Sequence, residues 1–98
     1  MVIHPHHYSV KKQKRGPLDL LVYFFMIATP LFEIPQAIAI YSSKDAASVS
    51  LLTWSFFWAA SVVWFMYGYK NRLVPIMVTY GLYFIVEAVI VAGILMYS

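Results

Sequence analysis

The sequence predicts an all-α membrane protein, built as a bundle of three transmembrane helices. Hydrophobic residues make up 62% of the 98 residues and charged residues only 11%, whereas soluble domains average about 45–50% and about 25%. The mean hydropathy is +0.74. Three long apolar runs are separated by short polar stretches, and about 20 apolar residues suffice to cross a bilayer. The length allows one domain.

Residues 1–16 are predicted to form a polar, basic tail that is disordered. Adjacent histidines on such a tail rarely close a metal site, so no bound metal and no cofactor are expected. The basic residues directly precede the first apolar run, where they act as a topology signal rather than as a nucleic-acid surface. The chain has no cysteine and therefore no disulfide. The tail residues concerned are His4, His6, His7, Lys11, Lys12, Lys14 and Arg15.

The three-helix domain is predicted over residues 17–98, and its first span runs from about residue 18 to residue 41. This run is too long to be the apolar part of a signal peptide. Pro17 occupies a favourable first-turn position. Pro30 and Pro35 lie inside the span, and an interior proline removes a backbone hydrogen bond and kinks the helix. We therefore predict a bent or broken first helix.

The second and third spans are predicted at about 49–67 and 73–96. Ser48 or Ser50 is a candidate N-cap of the second helix, because a serine hydroxyl accepts a hydrogen bond from an orphan backbone N–H. Residues 68–72 predict a tight, basic turn between these two spans. Small residues that would let helices pack closely are Ser61, Gly68 and Gly81.

The distribution of Lys and Arg predicts the orientation in the membrane. Four basic residues precede the first span and Lys70 and Arg72 lie in the second loop, whereas the first loop contains only Lys44. Cytoplasmic flanks carry the excess of positive charge. With three spans, the tail and the second loop share one side, so the N-terminus is predicted to be cytoplasmic.

Two sequence elements carry a resemblance to a known family. The pair Pro35-Gln36 lies in the first span, Ser50 follows it, and the second span ends in Trp64-Phe65-Met66-Tyr67-Gly68. This pattern resembles the SWEET and PQ-loop transporter superfamily, and the three-span length is similar to that of a bacterial SemiSWEET. The resemblance implies a parallel homodimer in the bacterial inner (plasma) membrane that moves mono- or disaccharides by alternating access. Members of the family usually place the N-terminus outside, opposite to the charge count.

The resemblance also implies roles for individual residues. Trp64 matches a pocket tryptophan that stacks on sugar, and Tyr80 falls where the family has a pocket asparagine. A tyrosine hydroxyl can donate one hydrogen bond, whereas an amide offers both donors and acceptors. Pro35 matches the hinge of the first helix, which Gln36 supports. The gate positions at the two ends of the pathway correspond to Phe57 and Tyr67.

Two carboxylates, Glu33 and Glu87, lie within the predicted spans. An ionised carboxylate near the bilayer centre costs about 2.5–3.5 kcal/mol on insertion scales, so each should be protonated, paired or facing water. Tyr80 and Glu87 are seven residues apart and share a helix face. Glu33 lies three residues before Gln36. We interpret the two carboxylates as a proton site or another polar site.

Together these residues favour a SemiSWEET-like transporter of small sugars that works as a homodimer. Two alternatives stay open. One is a PQ-loop transporter of another small solute, such as an amino acid, with protons carried through Glu33 or Glu87. The other is a membrane subunit that assembles with a partner and transports nothing. The sequence contains no nucleotide-binding loop, metal cluster or nucleophile–base arrangement, so no enzyme activity is expected.

Overall fold

The structure, a computed structural model, describes residues 16–98, and this part of the chain is helical without strands. The helices are α1 (Pro17–Leu31), α2 (Ile34–Ser43), α3 (Leu51–Lys70) and α4 (Val74–Tyr97). The stretch Pro17–Ser43, which contains α1 and α2, is long and apolar enough to cross a membrane, and so are α3 and α4. The prediction of three membrane-spanning segments is therefore confirmed. The histidines and the basic cluster of the predicted tail lie outside the described residues.

The first span is broken, as its two prolines predict. The interruption lies at Phe32 and Glu33, and Pro35 is already within the first turn of α2. Proline cannot supply the N–H that the carbonyl four residues earlier needs, and its ring crowds that carbonyl. For Pro35 this carbonyl belongs to Leu31. The distortion therefore falls in the turn that precedes the proline, where the Glu33 N–H donates to the Pro30 carbonyl at 3.1 Å.

Pro30 lies inside α1 and frees a second carbonyl, that of Met26. The hydroxyl of Thr79 on α4 lies 3.3 Å from the Met26 oxygen and 2.7 Å from the oxygen of Pro75 in its own helix. Lipid offers no hydrogen-bond donor to a free carbonyl, so a neighbouring helix has to do so. The Thr79 hydroxyl is thus a polar link between α1 and α4. It lies next to the Met26 carbonyl, which Pro30 leaves without its helical N–H partner.

The second span begins at the predicted cap. The Ser50 hydroxyl accepts a hydrogen bond of 3.1 Å from the Thr53 backbone N–H. At its other end α3 continues to Lys70, three residues beyond the predicted limit, so the turn to α4 is shorter than expected. Arg72 adopts a left-handed conformation there, with φ 57°. The turn closes through a 2.8 Å hydrogen bond from the Leu73 N–H to the Gly68 carbonyl.

The third span, α4, lies between the other two. It packs against α3 along most of its length and also against α1 and α2, whereas the first span and α3 make almost no direct contact in the described part of the chain. The three spans measure 53 × 28 × 16 Å. The shortest dimension, 16 Å, is little more than half of the middle one, 28 Å, so the three spans form a flattened bundle with α4 in the middle.

A small apolar core forms where α2, the first loop and the end of α4 meet. Its fully buried members are Ile40, Ala46, Ile90 and Ile94. The loop is fixed to the last turn of α4 by a hydrogen bond of 3.1 Å from the Ala46 N–H to the Tyr97 carbonyl.

Gly93 of α4 permits the close approach of α2 in this core. A Cβ atom at Gly93 would lie 2.7 Å from Cε2 of Tyr41 and 2.9 Å from Cγ2 of Ile40, which is too close for an undistorted side chain. The Tyr41 hydroxyl reaches past this point and donates a 2.9 Å hydrogen bond to the carbonyl of Val89. One end of the bundle is therefore tightly packed.

Candidate functional site

A groove of about 320 Å³ lies between the broken first span and α3, with α4 at its base. Five of the residues singled out in the sequence line it, although they come from three separate parts of the chain. Phe56, Ala60 and Tyr83 complete its lining. The five are Glu33, Phe57, Trp64, Tyr80 and Glu87.

Aromatic rings form one wall of the groove. The rings of Trp64 and Tyr80 stack with their centroids 5.6 Å apart and their planes inclined by 19°. Tyr83 contacts Tyr80 at 5.4 Å. Trp64 is 45% exposed, so one of its faces is covered by Tyr80 and the other is open. The structure thus brings together the two residues predicted to bind substrate, and one of them shields the other.

The two predicted gate residues occupy different positions relative to this wall. Phe57 lines the groove two turns before Trp64 on α3 and meets Trp54 edge to face at 5.7 Å. Tyr67 contacts Trp64 edge to face at 5.9 Å but does not line the groove. Tyr67 therefore supports the wall from the side near the second loop, whereas Phe57 is exposed to the groove itself.

The carboxyl groups of Glu33 and Glu87, which we call the carboxyl pair, both line the groove and lie close enough to interact. Glu33 is placed by the turn that breaks the first span, and Glu87 by the third helix, of which it is a buried residue with 4% exposure. Carboxylate oxygens only accept hydrogen bonds, so a proton on one carboxyl group would let it donate to the other.

Each member of the carboxyl pair also has an unused oxygen. Oε1 of Glu33 and Oε1 of Glu87 are both buried and have no hydrogen-bond partner among the described residues. No described lysine or arginine forms an ion pair with either group. Buried polar atoms without partners are rare in folded proteins and call for an explanation. Within residues 16–98, no group of three metal-ligating side chains could hold a metal ion.

The predicted hinge residues lie beside the groove rather than in it. Pro35 and Gln36 are part of the first turn of α2, immediately after the break. The Gln36 backbone N–H donates to the Glu33 carbonyl at 3.0 Å. The Gln36 side chain has no hydrogen-bond partner within residues 16–98. The proline–glutamine pair thus shapes the turn that presents Glu33, and its role in motion stays a prediction.

Tyr83 is the groove residue that the sequence reasoning missed. It lies three residues after Tyr80 and four before Glu87, so helical periodicity places all three on one face of α4. Its phenol is close enough to both members of the carboxyl pair to interact with their charge. The spacing alone could have identified it.

The opposite face of the α3–α4 pair carries a second cavity of different character. Its volume is about 350 Å³, and hydrophobic side chains and one glycine line it. Beside it the indole of Trp58 stacks on Phe84 at 5.5 Å. A surface of this kind suits a lipid chain, although the indole N–H of Trp58 is buried there without a hydrogen-bond partner among the described residues. The carboxyl pair lies on the other face. The lining residues are Val62, Phe65, Met66, Gly81, Phe84 and Ile85.

The chain matches no protein-family model, and no curated protein and no solved structure is significantly similar to it. The resemblance to SemiSWEETs therefore rests on the residues quoted from the sequence.

Proposed function

We propose that this chain is a membrane transporter of small solutes that works as a parallel homodimer by alternating access, in the manner of a SemiSWEET. The observation that carries the proposal is the groove. Within a membrane domain it combines an open aromatic face, one buried and one half-buried carboxyl group, and a break in the helix that forms one of its edges. A purely structural subunit has no need for unpaired polar oxygens in such a place.

The shape of the bundle supports a dimer. The flattened bundle leaves the groove open on the side away from α4, and in a membrane that side would face lipid. Polar and ionisable groups within spans almost always face a bundle interior or a water-filled cavity. A second copy, related by an axis along the membrane normal, would cover the groove and place two copies of it around one pathway.

The two parts of the first span provide the element that moves. α2 is held by the apolar core, whereas α1 contacts α4 through partly exposed side chains and the Thr79 link, with Pro30 as its one buried residue. Rotation at Phe32 and Glu33 would open one end of the pathway while the packed end stays closed. The charge distribution places α1 toward the cytoplasm, and a bacterial inner membrane is the proposed location.

Small sugars are the first candidate for the solute, because the open face of Trp64 can pack on the C–H face of a sugar ring. A second candidate is a different small solute, such as an amino acid, whose passage is linked to protons. The carboxyl pair favours this second candidate because it is a buried group that can bind and release a proton.

The test is uptake of labelled glucose, sucrose and a mixed amino-acid pool into proteoliposomes, each with and without a pH gradient. We expect saturable uptake of at least one solute, and loss of that uptake in Trp64→Ala. Phe84→Ala is the matched control, since Phe84 is 40% exposed and lines the opposite cavity. Normal uptake by Trp64→Ala would remove Trp64 from the pathway. A monomer in mild detergent together with no flux of any solute would favour a non-transporting subunit.

Pro35→Ala tests the moving element. Restoring an N–H at this position lets the Leu31 carbonyl regain its helical partner, which straightens the first span. We expect the variant to insert and dimerise normally and to transport more slowly. Flux equal to that of the unmodified protein would count against a hinge at this break.

A further inference from the structure

We propose that the groove binds a small organic cation with a primary ammonium group, which the carboxyl pair recognises while the aromatic wall covers its hydrocarbon part. The inference rests on the proposed function and narrows its substrate class. An acidic pair alone would not define a site. Here Glu87 is only 4% exposed and lines the groove. Its Oε1 has no hydrogen-bond partner among the described residues.

Hydrogen-bond complementarity is the first argument. The carboxyl pair offers two buried oxygens, one on Glu33 and one on Glu87. Both can accept a hydrogen bond, and no described residue donates one to them. A primary ammonium group carries three donors and no acceptor. A sugar hydroxyl donates and accepts in equal measure, and the donors that line the groove are the hydroxyls of Tyr80 and Tyr83 and the indole N–H of Trp64. An ammonium ion can donate to both unpartnered oxygens at once, whereas a single sugar hydroxyl has one hydrogen to donate.

Charge balance is the second argument. No lysine or arginine within residues 16–98 forms an ion pair with the carboxyl pair. When one of its two groups is ionised, a single ammonium group would neutralise that charge. The groove has no lysine, arginine or histidine in its lining, so nothing there would pair with the carboxylate of an amino acid. This favours an amine without a carboxyl group.

The rings supply the third argument. A cation within about 6 Å of a ring centroid is attracted by the negative face of the ring, and tryptophan is the best partner. Trp64 keeps one face open toward the groove, and four further aromatic residues surround the same space. A volume of about 320 Å³ lies at the lower end of the range of ligand pockets, which suits a small amine. The four further rings are Phe56, Phe57, Tyr80 and Tyr83.

The experiment is isothermal titration calorimetry of the purified full-length protein in detergent with butylammonium chloride. Butanol has the same alkyl chain without the charge, and glucose is the competing solute class. We expect saturable binding of butylammonium and none of butanol. Glu87→Gln keeps the side-chain shape and should weaken butylammonium binding about tenfold or more, because a charge-assisted hydrogen bond is lost. Asp19→Asn removes a carboxylate far from the groove, which is bonded to the Gly16 N–H, and should bind normally.

Equal binding of butanol, or unchanged binding by Glu87→Gln, would overturn the proposal. If Glu87→Gln fails to give a monodisperse protein, Glu33→Gln replaces it, because Glu33 is less buried and the same loss is expected. The outcome is separate from that of the proposed function. Glucose flux without butylammonium binding would sustain transport and refute this substrate class, whereas butylammonium binding without flux of any solute would sustain the site and refute transport.

Discussion

The two halves of the first span differ in how they are held. α2 buries Ile40 in the apolar core, and its Tyr41 hydroxyl bonds to α4. In α1 the one buried residue is Pro30, and the polar link to α4 is a 3.3 Å contact from Thr79. α1 is the more apolar of the two halves, so apolar composition does not explain why α2 is the better buried. The difference comes from whether α4 offers a surface that the half can enter.

For α2, the surface of α4 that it can enter lies at Gly93. Because glycine has no side chain, the Tyr41 ring and the Ile40 side chain fit against the helix there. Between α1 and α4, by contrast, a cavity of about 310 Å³ lies beside the Thr79 link. In lipid there is no hydrophobic force between helices, and association depends on close packing and hydrogen bonds. We therefore expect α1 to change position more readily than α2, which fills the surface at Gly93 and serves as the anchor.

The largest effect is expected from Ile40→Ala. The residue is fully buried between helices, and truncation of a buried isoleucine typically costs about 2–5 kcal/mol, including the cavity that is left. The matched variant in α1 is Ile27→Ala, whose side chain is 40% exposed and should cost less than about 1 kcal/mol. Unfolding in mixed micelles, followed by circular dichroism, measures both. Equal losses would show that the two halves are held alike.

A smaller effect is expected from Gly93→Ala. The added methyl group would overlap Tyr41 and Ile40, and overpacking of this kind typically costs about 1–3 kcal/mol. Gly81→Ala is the control, since a Cβ there would lie 3.4 Å from the Phe65 ring, at ordinary contact distance. The same micelle assay should find Gly81→Ala neutral or slightly stabilising. A neutral Gly93→Ala would mean that α2 is not anchored through this contact.

The smallest effect is expected from Thr79→Val, which removes the polar link between α1 and α4. Hydrogen bonds between membrane helices average about 0.6 kcal/mol. Global stability should therefore change little, while amide hydrogen exchange in α1 becomes faster and that in α2 does not. Thr29→Val, at an exposed position in α1, serves as the control. Faster exchange in both halves would contradict the separation between a mobile part and an anchored part.

Much of the architecture is predictable because the bilayer restricts it. Span number, the broken first helix and the Ser50 cap follow from apolar length, interior prolines and the position of a serine. The exact site of the break does not follow as directly, since Pro35 acts on the turn before it. The resulting turn at Phe32 and Glu33 depends on Pro30 as well.

The residues of the site can be predicted from the sequence, but which of them contact each other cannot. Trp64, Tyr80, Glu33 and Glu87 could each be singled out from residue type and position. Their meeting depends on which spans are neighbours, and in this fold the third span lies between the first and the second. Sequence order alone suggests the opposite arrangement. The proximity of Glu33 and Glu87 is therefore a property of the packing, whereas the homodimer and the solute stay predictions.

The central position of the last span has a consequence for the biogenesis of the protein. The first and second spans have almost no contact with each other, so when both have entered the membrane they have nothing to associate with. The first loop is not fixed until the Tyr97 carbonyl at the end of α4 accepts its bond from Ala46. Assembly must therefore wait until the third span has entered the membrane, because a helix near the length of α4 is needed to cross the bilayer. Loss of α4 would leave the first and second spans as unassociated helices in the lipid.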